Sequence, residues 1–265
     1  MEPFYFGTSA EPLFGIYHPP TSALLRNAGV LLCYPIGHEY IMAHRAYRQL
    51  SIRLAEAGFH VLRFDYYATG DSSGECEHGS PRRWLRDIST AIGELRLRSG
   101  SSKVCLVGCR LGATLSALVG ADRGDIEHIV LWDPISKGKA YIDELTLRQQ
   151  EMLQRTHVRP LVKSDRGDTR EFLGFAVTEA VLREIEAIDL LAMRQQPAQD
   201  LFIIESHGDD TTLQLREHVT SLDSRVAHQH IPIPNAWTWI EDVGTILVPY
   251  QILNSVVSWI IQVHP

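Results

Sequence analysis

Residues 103–120, KVCLVGCRLGATLSALVG, restrict the fold of this chain more than any other stretch. Val104 to Val107 form a short apolar run with β-branched members, which predicts a buried strand. Leu111, Leu115 and Leu118 then recur at helical spacing. Between strand and helix stands Gly108-Cys109-Arg110-Leu111-Gly112. This is the frame G-x-S-x-G, in which glycines let a strand turn sharply into a helix and hold the middle side chain out over the edge of a sheet. The middle residue here is Arg110. A guanidinium has no oxygen or sulfur with which to attack a carbonyl and stays protonated at working pH, so it cannot serve as the nucleophile.

The rest of the chain alternates the same two signals. Two strand-like runs in FYFGTSAEPLFGIYHPP flank a polar turn at residues 8–12 and predict an antiparallel hairpin. Residues 28–34 form the first fully apolar strand, which runs into the loop Pro35-Ile36-Gly37-His38-Glu39-Tyr40. Ala43, Tyr47, Leu50 and Leu54 mark a helical face that Gly58 ends. Residues 59–64 are the next strand, followed by a Gly/Ser/Asp-rich loop. Trp84, Leu85, Ile88, Ala91, Ile92 and Leu95 line a further helix. Residues 128–132 and 201–205 read as strands, residues 227–233 alternate, and residues 246–261 form an amphipathic last helix. Between residues 139 and 192 no strand is evident and helices are expected.

Strands alternating with helices predict an α/β fold with a mostly parallel central sheet and helices on both faces. Residues 1–134 and 199–265 then make the core domain, and residues 135–198 a helical cap insertion over the strand ends. In such sheets the ligand crevice lies at the C-terminal ends of the strands. Those ends carry His38 and Glu39, Arg110, Asp133, and His207 with Asp209 and Asp210.

Composition narrows the function classes. The formal charge of −7, with no basic run, argues against a nucleic-acid groove. No apolar stretch approaches the roughly 20 residues that span a bilayer, and MEPFYFG lacks the regions of a signal peptide, so a cytoplasmic protein is expected. Cys33, Cys76, Cys105 and Cys109 show no C-x-x-C pair and no Cys/His spacing for a metal. His228 and His230 share a face of one strand, but H-x-H without a third ligand is a weak metal signal, and solvated histidines are expected. No G-x-x-x-x-G-K-[ST] occurs and no G-x-G-x-x-G opens a helix, so neither a nucleotide nor any other cofactor is expected.

Taken together, Pro35 to Tyr40, Val61-Leu62-Arg63-Phe64-Asp65-Tyr66 with Thr69-Gly70-Asp71-Ser72-Ser73-Gly74, the turn at Arg110, and Leu131-Trp132-Asp133-Pro134 resemble the α/β-hydrolase superfamily over nearly the whole chain. The closer resemblance is to its serine-aminopeptidase-like branch, including the hydrolase-like proteins that accompany exosortase systems and polyketide or nonribosomal peptide clusters. That resemblance implies the α/β-hydrolase fold, a place in bacterial specialised metabolism, and a small acyl, ester or carrier-bound thioester substrate. A homodimer is compatible with it. An arginine in the elbow is not unusual in that branch.

The family's Ser, acid and His follow one another along the chain, with the acid after the sixth or seventh strand and the histidine after the eighth. Arg110 stands at the serine position, and Asp133, Asp209 or Asp210 matches the acid. After the last strand the chain reads Pro234-Asn235-Ala236-Trp237-Thr238-Trp239, without a histidine. Ordinary acyl-enzyme hydrolysis is therefore not expected.

Arg110 has two readings, a clamp for an anionic group at a helix N-terminus or an internal ion pair with Asp133, Asp210 or Glu39. A buried guanidinium needs a carboxylate under either. His38 is the candidate proton carrier, with Glu39 beside it, against a purely structural role in the loop. His207 and Asp210 are a candidate base and acid, against a polar turn capping a helix. Cys109, one residue from the tip, is expected to pack inward as an inert thiol. Three functions follow: an enzyme without a serine nucleophile, a catalytically inert relative kept as a binding or scaffolding partner, and an esterase using Ser116 or Ser206.

Overall fold

The computed structural model describes residues 1–156, 168–208, 210–233, 237 and 246–265. Its centre is an eight-stranded sheet in the order β1-β2-β4-β3-β5-β6-β9-β10. The strands are β1 (Glu2–Gly7), β2 (Pro12–His18), β3 (Gly29–Cys33), β4 (His60–Phe64), β5 (Val104–Cys109), β6 (His128–Trp132), β9 (Asp200–Glu205) and β10 (Arg225–His230). β1 and β2 form the expected antiparallel hairpin at one edge, and β4 through β10 run parallel. β3, β5 and β6 are buried at every residue, as strands covered on both faces must be.

Helices supply that cover. α1 (His38–Glu56) packs with α7 (Tyr250–Val263), and α2 (Pro81–Ser99) packs with α3 (Leu111–Arg123). α6 (Asp210–Ser221) packs on β10. α2 starts at a serine cap, where Ser80 accepts from Arg83 N and Pro81 takes the first turn. α7 begins later than the amphipathic pattern implies, because Pro249 holds Val248 out of the helical region.

Between β6 and β9 the chain holds α4 (Gly138–Thr156) and α5 (Glu179–Glu186), as the apolar spacing implies. It also holds a hairpin that the spacing did not show, β7 (Thr169–Phe172) and β8 (Phe175–Thr178). Its two-residue turn puts both Leu173 (φ 52°) and Gly174 (φ 91°) in the left-handed region, which twisted hairpins favour. Leucine is an unusual occupant of such a turn, so the sequence lacked the Asn-Gly or Asp-Gly sign that marks one.

Strand register positions the site. Cys109 pairs with Trp132, and Trp132 with Ile204. The ladder continues one residue further, with Arg110 N donating to Trp132 O at 2.9 Å and Asp133 N to Ile204 O at 2.9 Å. Arg110, Asp133 and Ser206 therefore leave the sheet as neighbours.

At the other end of the sheet order, β2 ends in buried His18, whose Nε2 accepts from Arg63 Nε of β4 at 3.4 Å. Burial, helped by the Arg63 charge, pulls the imidazole down to about 4, so it is neutral in the folded protein. The unfolded imidazole titrates near 6.5, so this stabilisation is complete above that pH and is lost as pH falls toward 4. Urea midpoints should fall across that window, with a contribution on the order of 1 kcal/mol from this group after solvent screening. His18→Gln should flatten the dependence; an unchanged slope would contradict this assignment.

Candidate active site

The turn at Arg110 has the geometry that its glycines imply. A Cβ on Gly108 would lie 2.4 Å from Ala113 Cα, and one on Gly112 would lie 2.3 Å from the carbonyl oxygens of Cys33 and Tyr34. Nothing larger than glycine lets α3 approach β3 and β5 this closely. Arg110 itself takes φ 52° and ψ −124°, a costly conformation for a residue with a Cβ. Thr114, one turn into α3, both donates to Ile135 O and accepts from Ile135 N at 2.9 Å, which pins the turn after β6 to the helix.

Arg110 is 7% exposed and sits at the N-terminus of α3, where the helix dipole opposes a cation. Two carboxylates offset that. Nε donates to Glu39 Oε1 at 2.8 Å, and Nη2 donates to Glu144 Oε2 at 2.7 Å. Burial acts to lower the guanidinium's affinity for its proton, but Glu39 and Glu144 together raise it above the ordinary arginine value. Of the partners foreseen for Arg110, the structure supplies Glu39, and the Asp210 side chain lies outside the described residues.

Glu39 is 1% exposed, on the first turn of α1, where unpaired backbone N–H groups favour an anion. Its second oxygen accepts from Tyr141 of α4 at 2.9 Å, and Arg148 of α4 lies 3.8 Å from the first. Arg148 also donates to Glu144 one turn away and to Trp237 O. Two guanidiniums and two carboxylates thus close a charge-balanced cluster, with the Tyr141 and Trp237 rings 5.4 and 5.9 Å from Arg110 Cζ.

Asp133 does not pair with Arg110. Its Oδ1 accepts from Ser206 N at 2.7 Å, and its Oδ2 accepts from the Ser206 hydroxyl and from Trp237 Nε1, the latter at 2.7 Å. The carboxylate is satisfied by three neutral donors and needs no cation. Trp237 follows β10, where the resembled family carries its histidine, and gives the acid an N–H as that histidine would. An indole has no lone pair to accept a proton, so the geometry survives without the base.

Six non-glycine residues among those described have φ in the left-handed region, and Arg110, Asp133 and Trp237 are three of them. Such backbone persists only where the surrounding structure fixes it, and these three lie together, Trp237 bonded to Asp133 and its ring 5.9 Å from Arg110 Cζ.

His38 is the first residue of α1, not part of a loop, and its ring is buried. His207 is exposed after β9. Asp210 opens α6, its side chain lies outside the described residues, and Asp209 lies outside them altogether. Cys109 is fully buried and burial pushes its thiol well above the ordinary range, so it is inert. Ser116 donates to Gly112 O at 2.7 Å inside α3, and Ser206 is held by Asp133, so neither is poised as a nucleophile. His228 is not a solvated strand histidine: its Nε2 lies 3.1 Å from Glu205 Oε2.

Glu144, Tyr141, Arg148 and the bond from Trp237 to Asp133 were not foreseen. Tyr141, Glu144 and Arg148 recur at helical spacing on α4, which was the available signal.

Residues 35–233 match the sequence profile of the serine aminopeptidase (S33) family. The chain belongs to that family. Human Protein ABHD12B is 30% identical over 153 residues, which take in 50% of this chain and 41% of the human protein. Est1E of Butyrivibrio proteoclasticus, solved with ferulic acid, superposes with a TM-score of 0.65 at 14% identity over 98% of both chains. A proline iminopeptidase of Mycobacterium smegmatis gives 0.66 at 12% identity over 98% of both. At such identities these two establish the shared α/β-hydrolase fold. The matched stretch takes in Glu39, Arg110, Asp133 and Glu144 and ends before Trp237.

Removing one member of a buried ion pair costs about 3–5 kcal/mol, because the other charge is stranded. Arg110→Met and Glu39→Gln should each destabilise by about that much in chemical denaturation. The double variant should cost at least about 2 kcal/mol less than the sum. Additive losses would mean that the two side chains do not depend on each other.

Proposed function

We propose that this serine aminopeptidase family member takes a small acyl-type metabolite, an ester, a thioester or the matching carboxylate, into the crevice at the strand ends and handles it without an acyl-enzyme. The observation that carries this reading is the guanidinium at the nucleophile position, ion-paired on both sides. Hydrolysis through a covalent intermediate needs a nucleophile with a base in hydrogen-bond reach. Arg110 and Trp237 supply neither.

The two carboxylates on Arg110 are not equivalent. Glu39 is 1% exposed and Glu144 is 34% exposed at its side chain. A cleft of about 190 Å³ opens beside Arg110, Tyr141 and Glu144, with Ser136, Thr211 and Gln214 also in its wall. A substrate carboxylate entering it exchanges for Glu144 on Nη2 while Glu39 keeps Nε. The ion pair and the anion clamp are then two states of one arginine. His38, the first residue of α1 and directly after Gly37, is the proton carrier for a cyclase, lyase or direct-water reaction. Residues 135–198 act as the cap over this crevice. A cytoplasmic location, which the free buried thiols of Cys33, Cys105 and Cys109 support, and a role in bacterial specialised metabolism belong to the same proposal.

A second reading, a catalytically inert binding or scaffolding relative, is favoured by the complete neutralisation of Arg110. Calorimetry with small carboxylates and pantetheine thioesters separates the two. The first reading expects binding that Arg110→Ala abolishes and Glu144→Gln tightens several-fold, because the internal competitor is gone. Fluorophosphonate should not label the native protein. Labelling of a serine contradicts both readings, and ligands that never bind, with Arg110→Ala altering stability alone, leave the scaffold.

A further inference from the structure

Far from Arg110, the N-terminal ends of the central strands hold a second constellation. Among the described residues, the buried atoms Arg96 Nε, His128 Nδ1 and His264 Nε2 find no hydrogen-bond partner, and all three belong to residues lining one cleft. Buried polar atoms are nearly always satisfied, so three orphans around one space call for an explanation. The cleft measures about 310 Å³, at the small end for metabolite pockets, and Lys103 also stands in its wall. Arg96 comes from α2, Lys103 from just before β5, His128 from the first position of β6, and His264 from the end of α7. The two imidazoles meet edge to face with centroids 4.4 Å apart, and both residues are more than nine-tenths buried.

The chemistry of the orphans fixes the sign of what fits. Arg96 Nε–H can only donate, as can the Lys103 ammonium, and each imidazole donates from both ring nitrogens once it is protonated, with His128 Nε2 already 3.5 Å from Asp200 Oδ2. Asp125 and Glu127 also line the cleft and pair with part of these cations, Asp125 with Arg96 Nη1, which leaves Nε, and Glu127 with Lys103 at longer range. Asp125 accepts from Arg96 Nη1 at 2.8 Å and from Arg123 at 2.9 and 2.7 Å, and Glu127 lies 3.9 Å from Lys103 Nζ. Among the described residues no group of three or more His, Cys, Asp or Glu side chains could hold a metal ion, so a cation is not the natural occupant.

We infer that this cleft is a binding site for a small oxyanion, a phosphoryl or carboxylate group, held by Arg96, Lys103, His128 and His264, and separate from the crevice at Arg110. The site is coupled to protons. Burial lowers both imidazoles, His264 to about 4, and Lys103 lowers each further. His128 also faces Asp200 and Glu127, which raise it, and Arg225, which lowers it; His264 faces His128 and Arg26. An anion in the cleft favours the charged rings, so binding takes up protons and strengthens as pH falls.

The test uses inorganic sulfate, whose charge is constant across the range, followed by NMR of the histidine ring nitrogens. Saturable shifts of His128 and His264, with affinity rising several-fold from about pH 8 to about pH 6, are expected. Arg96→Met, a change at a partly exposed helical position, should weaken binding about tenfold or more, as the loss of a charge-assisted donor does. Lys103→Met should weaken it less, its ammonium being half in solvent. Inorganic phosphate and succinate, compared on the native protein, tell whether phosphoryl or carboxylate groups are preferred, and either preference supports the site. Absence of saturable shifts, binding unchanged in Arg96→Met, or a tighter response of the two rings to Zn²⁺ alone would overturn the proposal.

Discussion

The site depends on one buried ion pair, Arg110 with Glu39. A guanidinium at a helix N-terminus, on strained backbone and 7% exposed, is unfavourable on every count except the carboxylates it meets. Those carboxylates come from separate parts of the chain. Glu39 needs α1 to begin at the end of β3, and Glu144 needs α4 to return across the strand ends. The pair therefore ties the segment after β6 to the sheet, and Tyr141 and Arg148 complete the tie from the same helix.

Around that pair the family's geometry persists while its chemistry changes. Glycines at 108 and 112 still allow the close turn, Asp133 still leaves the sheet beside it, and an N–H donor from beyond β10 still meets the acid. On the proposed reading, neither Arg110 nor Trp237 moves electrons to a carbonyl. The donors are kept, and donors recognise anions. In the proposed function the crevice at the strand ends keeps an arginine at its centre, which an entering anion reaches by exchanging with Glu144.

The elbow turn, the alternation of strands and helices and the arginine at the turn were legible in the sequence because they rest on local signals: glycine spacing, apolar runs and turn residues. Glu39 was among the foreseen partners because it follows directly on a strand. Glu144 was not, since nothing local says which face of α4 looks at the sheet. Trp237 stood out in the sequence only as part of a stretch without a histidine; its bond to Asp133 depends on tertiary placement after β10. The hairpin at Leu173 and Gly174 escaped because a leucine occupies a left-handed position. The buried nitrogens of His128 and His264 lie 136 residues apart in sequence, so only packing brings them together.

The central claim, that the elbow holds a closed ion pair and not a disguised nucleophile, is tested most directly at the Arg110 side chain itself. Nitrogen-15 NMR of the arginine Nε–H groups reports hydrogen bonding and exchange with water one residue at a time. The account predicts an Arg110 Nε–H signal that exchanges slowly, persists to alkaline pH, and is lost or shifted in Glu39→Gln. A signal that exchanges with solvent as fast as those of surface arginines, and is indifferent to Glu39, would contradict it.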